Sequence, residues 1–214
     1  MALQEIAIRE FWRVFLRTEE ALFRGEASAP ELREVIGRVH PDLEFEIGPP
    51  EEGRRDIVIS AGGIRDAFPA VEALARGAPP LRRWNVVRYR QRRPISSTVT
   101  FQGLALSPGD VRFEISARGP GAGIVLFMPG YTRQEHSRYL ALALVMIDAL
   151  LGEYDVEMKL GSIVIEHLGP DRGARAMTLE NLARVFDASL HRSGGNKESP
   201  AGDGSQRRDH PHAR

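Results

Sequence analysis

The sequence contains no cysteine among its 214 residues. Disulfide-stabilised folds, thiol-dependent catalysis and cysteine-ligated zinc or iron–sulfur sites are therefore excluded together. A chain of this length buries about 70% of the surface that its unfolded form exposes, so stability requires neither a metal nor a disulfide.

The chain also lacks an excess of charge and a long apolar run. Lys+Arg and Asp+Glu both number 29, so no global charge attracts the chain to nucleic acid or to a membrane surface. The first residues, MALQEIAIREFW, place acids among apolar side chains, unlike the continuous apolar segment of a secretory signal. We therefore expect a cytoplasmic protein without membrane association. Its preference for arginine over lysine and its many alanines are typical of a GC-rich bacterial genome.

Motifs that carry known chemistry are missing as well. The sequence has no Walker, dinucleotide-binding, kinase or HExxH signature, and Ser60 and Ser96 lack the GxSxG context of a nucleophile. Gly119–Gly123 is rich in glycine, but it connects two predicted strands, so no helix N-terminus follows it to receive a phosphate. We assign no catalytic residue, no metal ligand and no cofactor.

The strongest pattern in the chain lies within Thr132–His167. Between Tyr139 and Leu151 only Asp148 is polar, which predicts a helix that is buried on most sides. The run is shorter than the roughly 20 apolar residues that a membrane span requires. Thr132 and Glu135 have the spacing of a capping box at the start of this helix.

A strand is predicted directly after this helix, beyond a C-cap at Gly152. Apolar residues at 154, 156, 158 and 160 alternate with charged ones, which indicates one buried and one solvent-exposed face. The apolar parity changes after Gly161, as expected at a β-bulge or a tight turn.

The remaining segments predict an α+β fold with a mainly antiparallel sheet and with helices at both ends of the chain. The order strand, strand, helix, strand occurs at 43–90 and again at 111–165, and each copy contains an early Phe-Glu-Ile tripeptide. These copies form a candidate internal repeat, two β-β-α-β units that could pair around a pseudo-twofold axis. We expect a single domain over 1–191 and a disordered tail over 192–214, since the tail lacks large apolar residues.

The first candidate binding surface is the arginine-rich segment Arg82–Arg93, RRWNVVRYRQRR. If this segment is a strand, Trp84, Arg88, Arg90 and Arg92 share one face. Arginines beside aromatic rings are typical of surfaces that bind phosphates or single-stranded nucleic acid. The structural alternative is an edge strand that positive charge protects from pairing with another chain.

The second candidate is the acidic group around Tyr154, which comprises Asp148, Glu153, Asp155 and Glu157. Carboxylates at this density hold Mg²⁺ or Ca²⁺ or perform acid–base chemistry. The alternative is that Asp155 and Glu157 form the solvent-exposed face of the strand, and no EF-hand spacing accompanies them. Asp148 is expected to pair with an arginine, because the helix dipole disfavours an acid near a helix C-terminus.

Several of these segments together carry a family resemblance. They are the helix with Phe11-Trp12 and Glu19, the segment ISAGGIRDAFPAVEALARGAP leading to Trp84, and Gly152–Glu157 before Gly161. Over about Glu10 to Asp187 the chain resembles a family of uncharacterised bacterial proteins. The resemblance implies a recurrent bacterial unit, and it implies no activity, cofactor or site residue.

The sequence favours a non-catalytic domain that binds another protein, because chemical motifs are missing and most polar groups fit exposed faces. The surface is expected near Glu153–Glu157 or Arg88–Arg92. Binding of nucleic acid or a phosphate ligand through residues 82–93 is the alternative. An enzyme or a divalent-metal site on residues 148–157 is the third possibility.

Overall fold

A computed structural model describes residues 2–26, 29–116, 122–173 and 176–194. The helices are α1 (Ala2–Arg24), α2 (Pro30–Val39), α3 (Phe68–Arg76), α4 (His136–Leu151), α5 (Glu153–Lys159), α6 (Pro170–Gly173) and α7 (Leu182–Gly194). The strands are β1 (Glu44–Ile47), β2 (Arg55–Ser60), β3 (Trp84–Arg88), β4 (Val99–Phe101), β5 (Leu104–Leu106), β6 (Arg112–Ser116), β7 (Ala122–Met128), β8 (Leu160–His167) and β9 (Met177–Thr178). Within these ranges, no helix combines the length and the apolar character needed to cross a membrane.

The N-terminal half is a three-stranded sheet with three helices. The sheet has the order β1-β2-β3, in which β1 and β2 are antiparallel and β2 and β3 are parallel. Helix α3 makes the crossover between the parallel strands, as such a connection requires. The buried stripe of α1 contains Phe11, Trp12 and Phe15, and the indole N–H of Trp12 donates to the carbonyl of Leu74 on α3 at 2.9 Å.

The C-terminal half repeats this connectivity and extends it. Its four-stranded sheet has the order β8-β7-β6-β9, with β6 and β7 antiparallel and β7 and β8 parallel. Helices α4 and α5 make the crossover from β7 to β8, and β4 and β5 form a separate antiparallel hairpin that contacts α4. Phe113 on β6 and Phe186 on α7 are fully buried in this half.

The expected α+β class is confirmed, and both β-β-α-β units are present, although the second unit has two crossover helices and its last strand continues to His167. The two Phe-Glu-Ile tripeptides lie on β1 and β6, the first strand of each unit. Four of the six strand pairings among the described residues are antiparallel, so the sheets are mixed with antiparallel pairs in the majority. The parallel pair in each unit follows from the helical crossover.

The buried apolar side chains form two separate clusters, one in each half. The first cluster runs from Ile8 to Tyr89 in sequence and the second from Leu106 to Phe186. Each half therefore has its own hydrophobic core, and the joint between the halves is built from other contacts.

One predicted element is wrong: residues 154–160 do not form a strand, because Glu153–Lys159 is helix α5 and β8 begins at Leu160. An alternating pattern over seven residues also places residues four apart on the same side of a helix. Val156 and Leu160 pack against the C-terminal core, whereas Tyr154 and Met158 are exposed. The short alternating pattern over residues 154–160 is therefore compatible with a strand and with a helix.

Other local expectations meet mixed outcomes. The irregularity at Gly161 is confirmed, because the pairing with β7 passes from Leu160 directly to Ser162 and leaves Gly161 as a bulge. The capping box is wrong in detail, since the Thr132 hydroxyl bonds the Glu135 carboxylate at 3.3 Å and α4 begins only after a 3₁₀ turn. Helix α7 extends to residue 194, and the rest of the predicted tail, 195–214, lies outside the described residues.

Candidate functional site

The two halves meet where the chain leaves β3. Strand β3 ends at Arg88, and Tyr89 has a φ of 64°, which turns the backbone out of the sheet. The predicted arginine face therefore stops at Arg88, and residues 90–93 run along the α4–α5 junction instead. The carbonyl of Arg90 accepts the Glu153 N–H at 3.0 Å, and the Arg93 N–H donates to the carbonyl of Ala149 at 2.7 Å.

Glu153 anchors this junction from inside the protein. The side chain is fully buried. One carboxylate oxygen accepts the backbone N–H groups of Ala61 at 2.7 Å and Gly63 at 3.3 Å, and the other accepts that of Arg90 at 3.0 Å. A buried carboxylate is tolerated when hydrogen bonds replace its water shell. The structure thus places Glu153, a predicted surface residue, within the joint as a tie between α5 and the N-terminal half.

Gly152 is required for the same close approach. Its φ is 77°, and a Cβ at this position would lie 3.1 Å from the Arg90 carbonyl oxygen and 3.2 Å from the Arg92 nitrogen. Both contacts involve backbone atoms, which cannot rotate away. The glycine that ends α4 therefore also lets residues 90–92 pass against the start of α5.

The arginines proposed for phosphate binding face carboxylates of the same chain. Arg88 donates to Glu72 at 2.7 Å. Arg92 donates to both oxygens of Asp187 at 2.8 Å, to Asp155 and to the carbonyl of Leu151. These contacts satisfy most of the hydrogen-bonding capacity of the Arg92 guanidinium, whereas Arg88 is held by the bond to Glu72 and remains 56% exposed.

Arg90 lies among three further carboxylates. Its guanidinium nitrogens are 3.2 Å from Glu46, 3.5 Å from Asp148 and 3.6 Å from Glu44. The expected arginine partner of Asp148 is therefore present, and it comes from the arginine-rich segment. The acidic and basic candidates, separate in sequence, meet at this joint.

The aromatic residues of the two candidates have different environments. Trp84 is buried, with its ring 5.0 Å from that of Phe15 and 5.7 Å from that of Phe23, so it belongs to the N-terminal core. Tyr154 is 43% exposed, and its ring centroid lies 6.0 Å from Phe68 and 5.3 Å from Tyr89. Tyr154 thus adds an aromatic contact between the halves at the surface of the joint.

A cleft of about 310 Å³ opens beside these contacts. Its lining combines two glycines, three apolar residues and three charged residues: Gly62, Gly63, Arg90, Leu144, Val145, Asp148, Val156 and Glu157. A larger cleft of about 520 Å³ lies between α1 and α3, away from both candidates. We assign the cleft of about 310 Å³ as the candidate site, because it combines members of both predicted groups with the exposed side chains of Leu144 and Val145, and because sites commonly lie where two units meet.

The carboxyl groups in this cleft have perturbed pKa values. Burial raises the pKa of Asp148, with the Glu153 charge adding to the rise and Arg90 opposing it. Burial also raises the pKa of Glu157, and the charges of Glu153 and Asp148 raise it further while Arg65 lowers it. The cleft therefore concentrates negative charge in a partly desolvated place, which is an arrangement typical of binding and catalytic sites.

Glu157→Gln is expected to raise the free energy of unfolding at neutral pH. A carboxyl whose pKa is higher in the folded state destabilises the fold once it is ionised, so removing the charge relieves that penalty. The gain should disappear as the pH falls below the range in which an unfolded glutamate ionises, because both side chains are then uncharged. Urea unfolding of both proteins over a pH series measures this effect, and a gain that persists in acid would contradict it.

The carboxylates of the joint do not form a metal-binding cluster. Across the described ranges, no three His, Asp or Glu side chains lie close enough together to hold a metal ion. Asp155 is instead paired with Arg92 and Lys159, and Asp148 with Arg90. The arrangement can hold a positively charged group and an apolar group side by side.

Two parts of this cleft were not identified from the sequence. Leu144 and Val145 are 41% and 44% exposed, although α4 was expected to be buried on most sides. The available signal was Asp148, the one polar residue of the run, which lies one turn after them on the same helix face. Gly62 and Gly63 are the second part, and no local sequence pattern indicates that the Gly63 N–H donates to Glu153.

Comparison with protein-family models, with curated proteins and with solved structures finds no match for this chain. The resemblance to uncharacterised bacterial proteins therefore stays a prediction, and conclusions about function depend on the site itself.

Proposed function

We propose that this chain is a non-catalytic, cytoplasmic binding domain that takes a segment of another protein into the cleft at the joint. The observation that carries the proposal is the exposure of Leu144 and Val145 beside Asp148 and Glu157. Exposed apolar side chains within a concave, charged rim are typical of sites that bind other polypeptides.

The charge around the cleft favours a basic partner. Glu44, Glu46 and Asp148 share the single guanidinium of Arg90, and Glu157 adds a further carboxylate. Arg65 and Arg93 supply positive charge nearby, but the acids outnumber the bases. A lysine or arginine that follows or precedes apolar residues in the bound segment would complement this surface.

A selection from a random peptide library displayed on phage, with the full chain immobilised, tests the proposal. Peptides that combine a basic residue with neighbouring large apolar residues are expected to be enriched. Their binding should weaken with added salt, because part of the attraction is between exposed charges.

Matched variants locate the binding surface. Leu144→Ser combined with Val145→Ser is expected to reduce peptide affinity at least about tenfold, since both changes remove apolar contact area without adding charge and one desolvated contact is worth roughly 1–2 kcal/mol. Leu16→Ser is the control, because Leu16 is exposed to a similar extent, 46%, on α1. Equal loss in both variants, or enrichment of acidic peptides, would refute the assignment.

The other two functions have less support. Nucleic acid bound to residues 82–93 would compete with the carboxylates that already pair with Arg88 and Arg92, and Trp84 is buried in the core, where it cannot stack on a base. Three of the four carboxylates in residues 148–157, namely Asp148, Glu153 and Asp155, already contact groups of the joint, so an enzyme there would depend on Glu157. Retention of single-stranded RNA in a gel-shift assay, lost in Arg88→Ala with Arg90→Ala, would favour the first of these.

A further inference from the structure

Strand β8 forms one end of the C-terminal sheet, and no other strand within the described residues pairs with its outer edge. The strand pairs with β7 along one side. Among the described residues, no backbone hydrogen bond reaches the other side of Gly161–Glu166. At eight residues, β8 is also the longest strand that the structure describes.

This edge has little protection against pairing with another strand. Natural edge strands are blunted by charge, proline, bulges or short length. In β8 the bulge at Gly161 and the acid at Glu166 leave Ser162, Ile163, Val164 and Ile165 between them without any charge or proline. Val164 is paired with Val125 on β7 and is still 46% exposed, so its side chain has free apolar surface for a second neighbouring strand.

The sequence of this edge is complementary to itself about Val164. An antiparallel copy centred there places Val164 opposite Val164, Ile163 opposite Ile165, and Ser162 opposite Glu166. The serine hydroxyl can donate to the carboxylate, and no like charges oppose each other. Ile163 and Ile165 face the C-terminal core. Their cross-strand pairs would therefore make the core of one copy continuous with that of the other.

Two neighbouring antiparallel registers also place core-facing residues of one copy opposite core-facing residues of the other. Their side-chain pairs are less complementary. Centring on Ile163 opposes Ile165 to Gly161 and Val164 to Ser162, and it sets Glu166 against Leu160. Centring on Ile165 opposes Val164 to Glu166 and Ile163 to His167. In the Val164 register every residue from Ile163 to Ile165 meets an apolar partner, whereas each of the other two registers does so only for its central isoleucine.

We propose that two copies of this chain associate through β8, antiparallel and centred on Val164, to form a continuous eight-stranded sheet. The twofold contact is isologous, as in most homodimers, since the same surface is used by both copies. A second copy of this chain is favoured over an unrelated strand, because the β8 edge is complementary to its own sequence.

The absence of cysteine makes a direct test available. In Val164→Cys the only two thiols of a dimer would lie opposite each other, at the roughly 4.5–5.5 Å Cα separation of directly paired antiparallel residues, which a disulfide can span. Mild oxidation of the full chain should convert most of it to a cross-linked dimer. Leu16→Cys, which is equally exposed on α1, should cross-link no faster than random collision allows.

The register is tested by charge at Ser162. Ser162→Lys places a lysine opposite Glu166 of the second copy and is expected to tighten the dimer roughly fivefold, whereas Ser162→Glu should weaken it by a similar factor. Sedimentation equilibrium of the unmodified chain and both variants measures the dissociation constants. A monomeric unmodified chain, equal cross-linking of the two cysteine variants, or no opposite response at Ser162 would overturn the proposal.

This inference is independent of the cleft. The variants of Leu144 and Val145 should leave the dimer unchanged, and those of Ser162 should leave peptide binding unchanged. Failure of one proposal is therefore distinguishable from failure of the other.

Discussion

Glu153→Ala is expected to lower the free energy of unfolding by at least about 3 kcal/mol. The change leaves the backbone N–H groups of Ala61, Gly63 and Arg90 without their acceptor, and each unsatisfied buried donor costs roughly 1–3 kcal/mol. It also leaves a cavity at a fully buried position. Urea unfolding monitored by tryptophan fluorescence and by far-ultraviolet circular dichroism measures the loss.

Two further variants separate the hydrogen bonds from the loss of a side chain. Glu153→Gln keeps the shape and one acceptor oxygen but turns an amide group toward a backbone donor, so an intermediate loss is expected. Glu34→Ala removes an exposed glutamate whose nearest arginine nitrogen is 3.9 Å away, and it should change stability by less than about 0.5 kcal/mol. If Glu153→Ala resembles Glu34→Ala, the carboxylate does not tie the halves together.

Arg92→Ala is expected to cost roughly 2 kcal/mol at neutral pH. Arg92 connects the segment between the halves to α4, α5 and α7, through the Leu151 carbonyl, Asp155 and both oxygens of Asp187. Charge-assisted, bidentate contacts of this kind are stronger than ordinary surface ion pairs. The expected loss of stability is well below the summed energies of these hydrogen bonds, because a third of the Arg92 side chain is exposed to water.

The loss at Arg92 should depend on pH with a defined sign. The hydrogen bond from Arg92 holds the pKa of Asp187 below its ordinary value, so this pair stabilises the fold above the range in which an unfolded aspartate ionises. Its contribution falls as the pH drops through the lowered pKa of Asp187. The stability difference between Arg92→Ala and the unmodified chain should therefore shrink in acid.

Controls for Arg92 follow from its geometry. Arg92→Lys retains the charge but cannot make the two parallel bonds to Asp187, so it should recover less than half of the loss. Arg13→Ala breaks an ion pair with Glu10 in which the arginine side chain is 62% exposed, and it should have almost no effect. A full recovery by lysine would show that charge alone matters at this position.

The elements of the fold were largely predictable because their signals are local. The apolar stripe of α1 and the long apolar run of α4 define helices by spacing alone, and both are present. The segment 154–160 was not predictable in this way. Seven alternating residues satisfy the period of a strand and the four-residue spacing of a short helix together, so only the packing of Val156 and Leu160 decides between them.

The joint was predictable in part. An arginine partner for Asp148 follows from the helix dipole, but the dipole does not identify Arg90, 58 positions earlier, as that partner. No sequence pattern indicates that Glu153 is buried. The groups that donate to its carboxylate are backbone N–H groups, which every residue except proline possesses. Contacts of this kind depend on the relative orientation of the two halves, which no local sequence pattern encodes.

The division of the hydrophobic residues into two clusters has a consequence for how the molecule opens. Because each half keeps its own core, the joint can separate without either sheet melting. When the joint opens, the amide protons of Ala61, Gly63 and Arg90 would exchange with deuterated solvent. Their exchange would be faster than that of the amide protons in β2 and β7. Two kinetic classes of amide would record two different free energies within one chain, and Glu153→Gln would accelerate exchange in both classes, because it weakens bonds that only the closed joint contains.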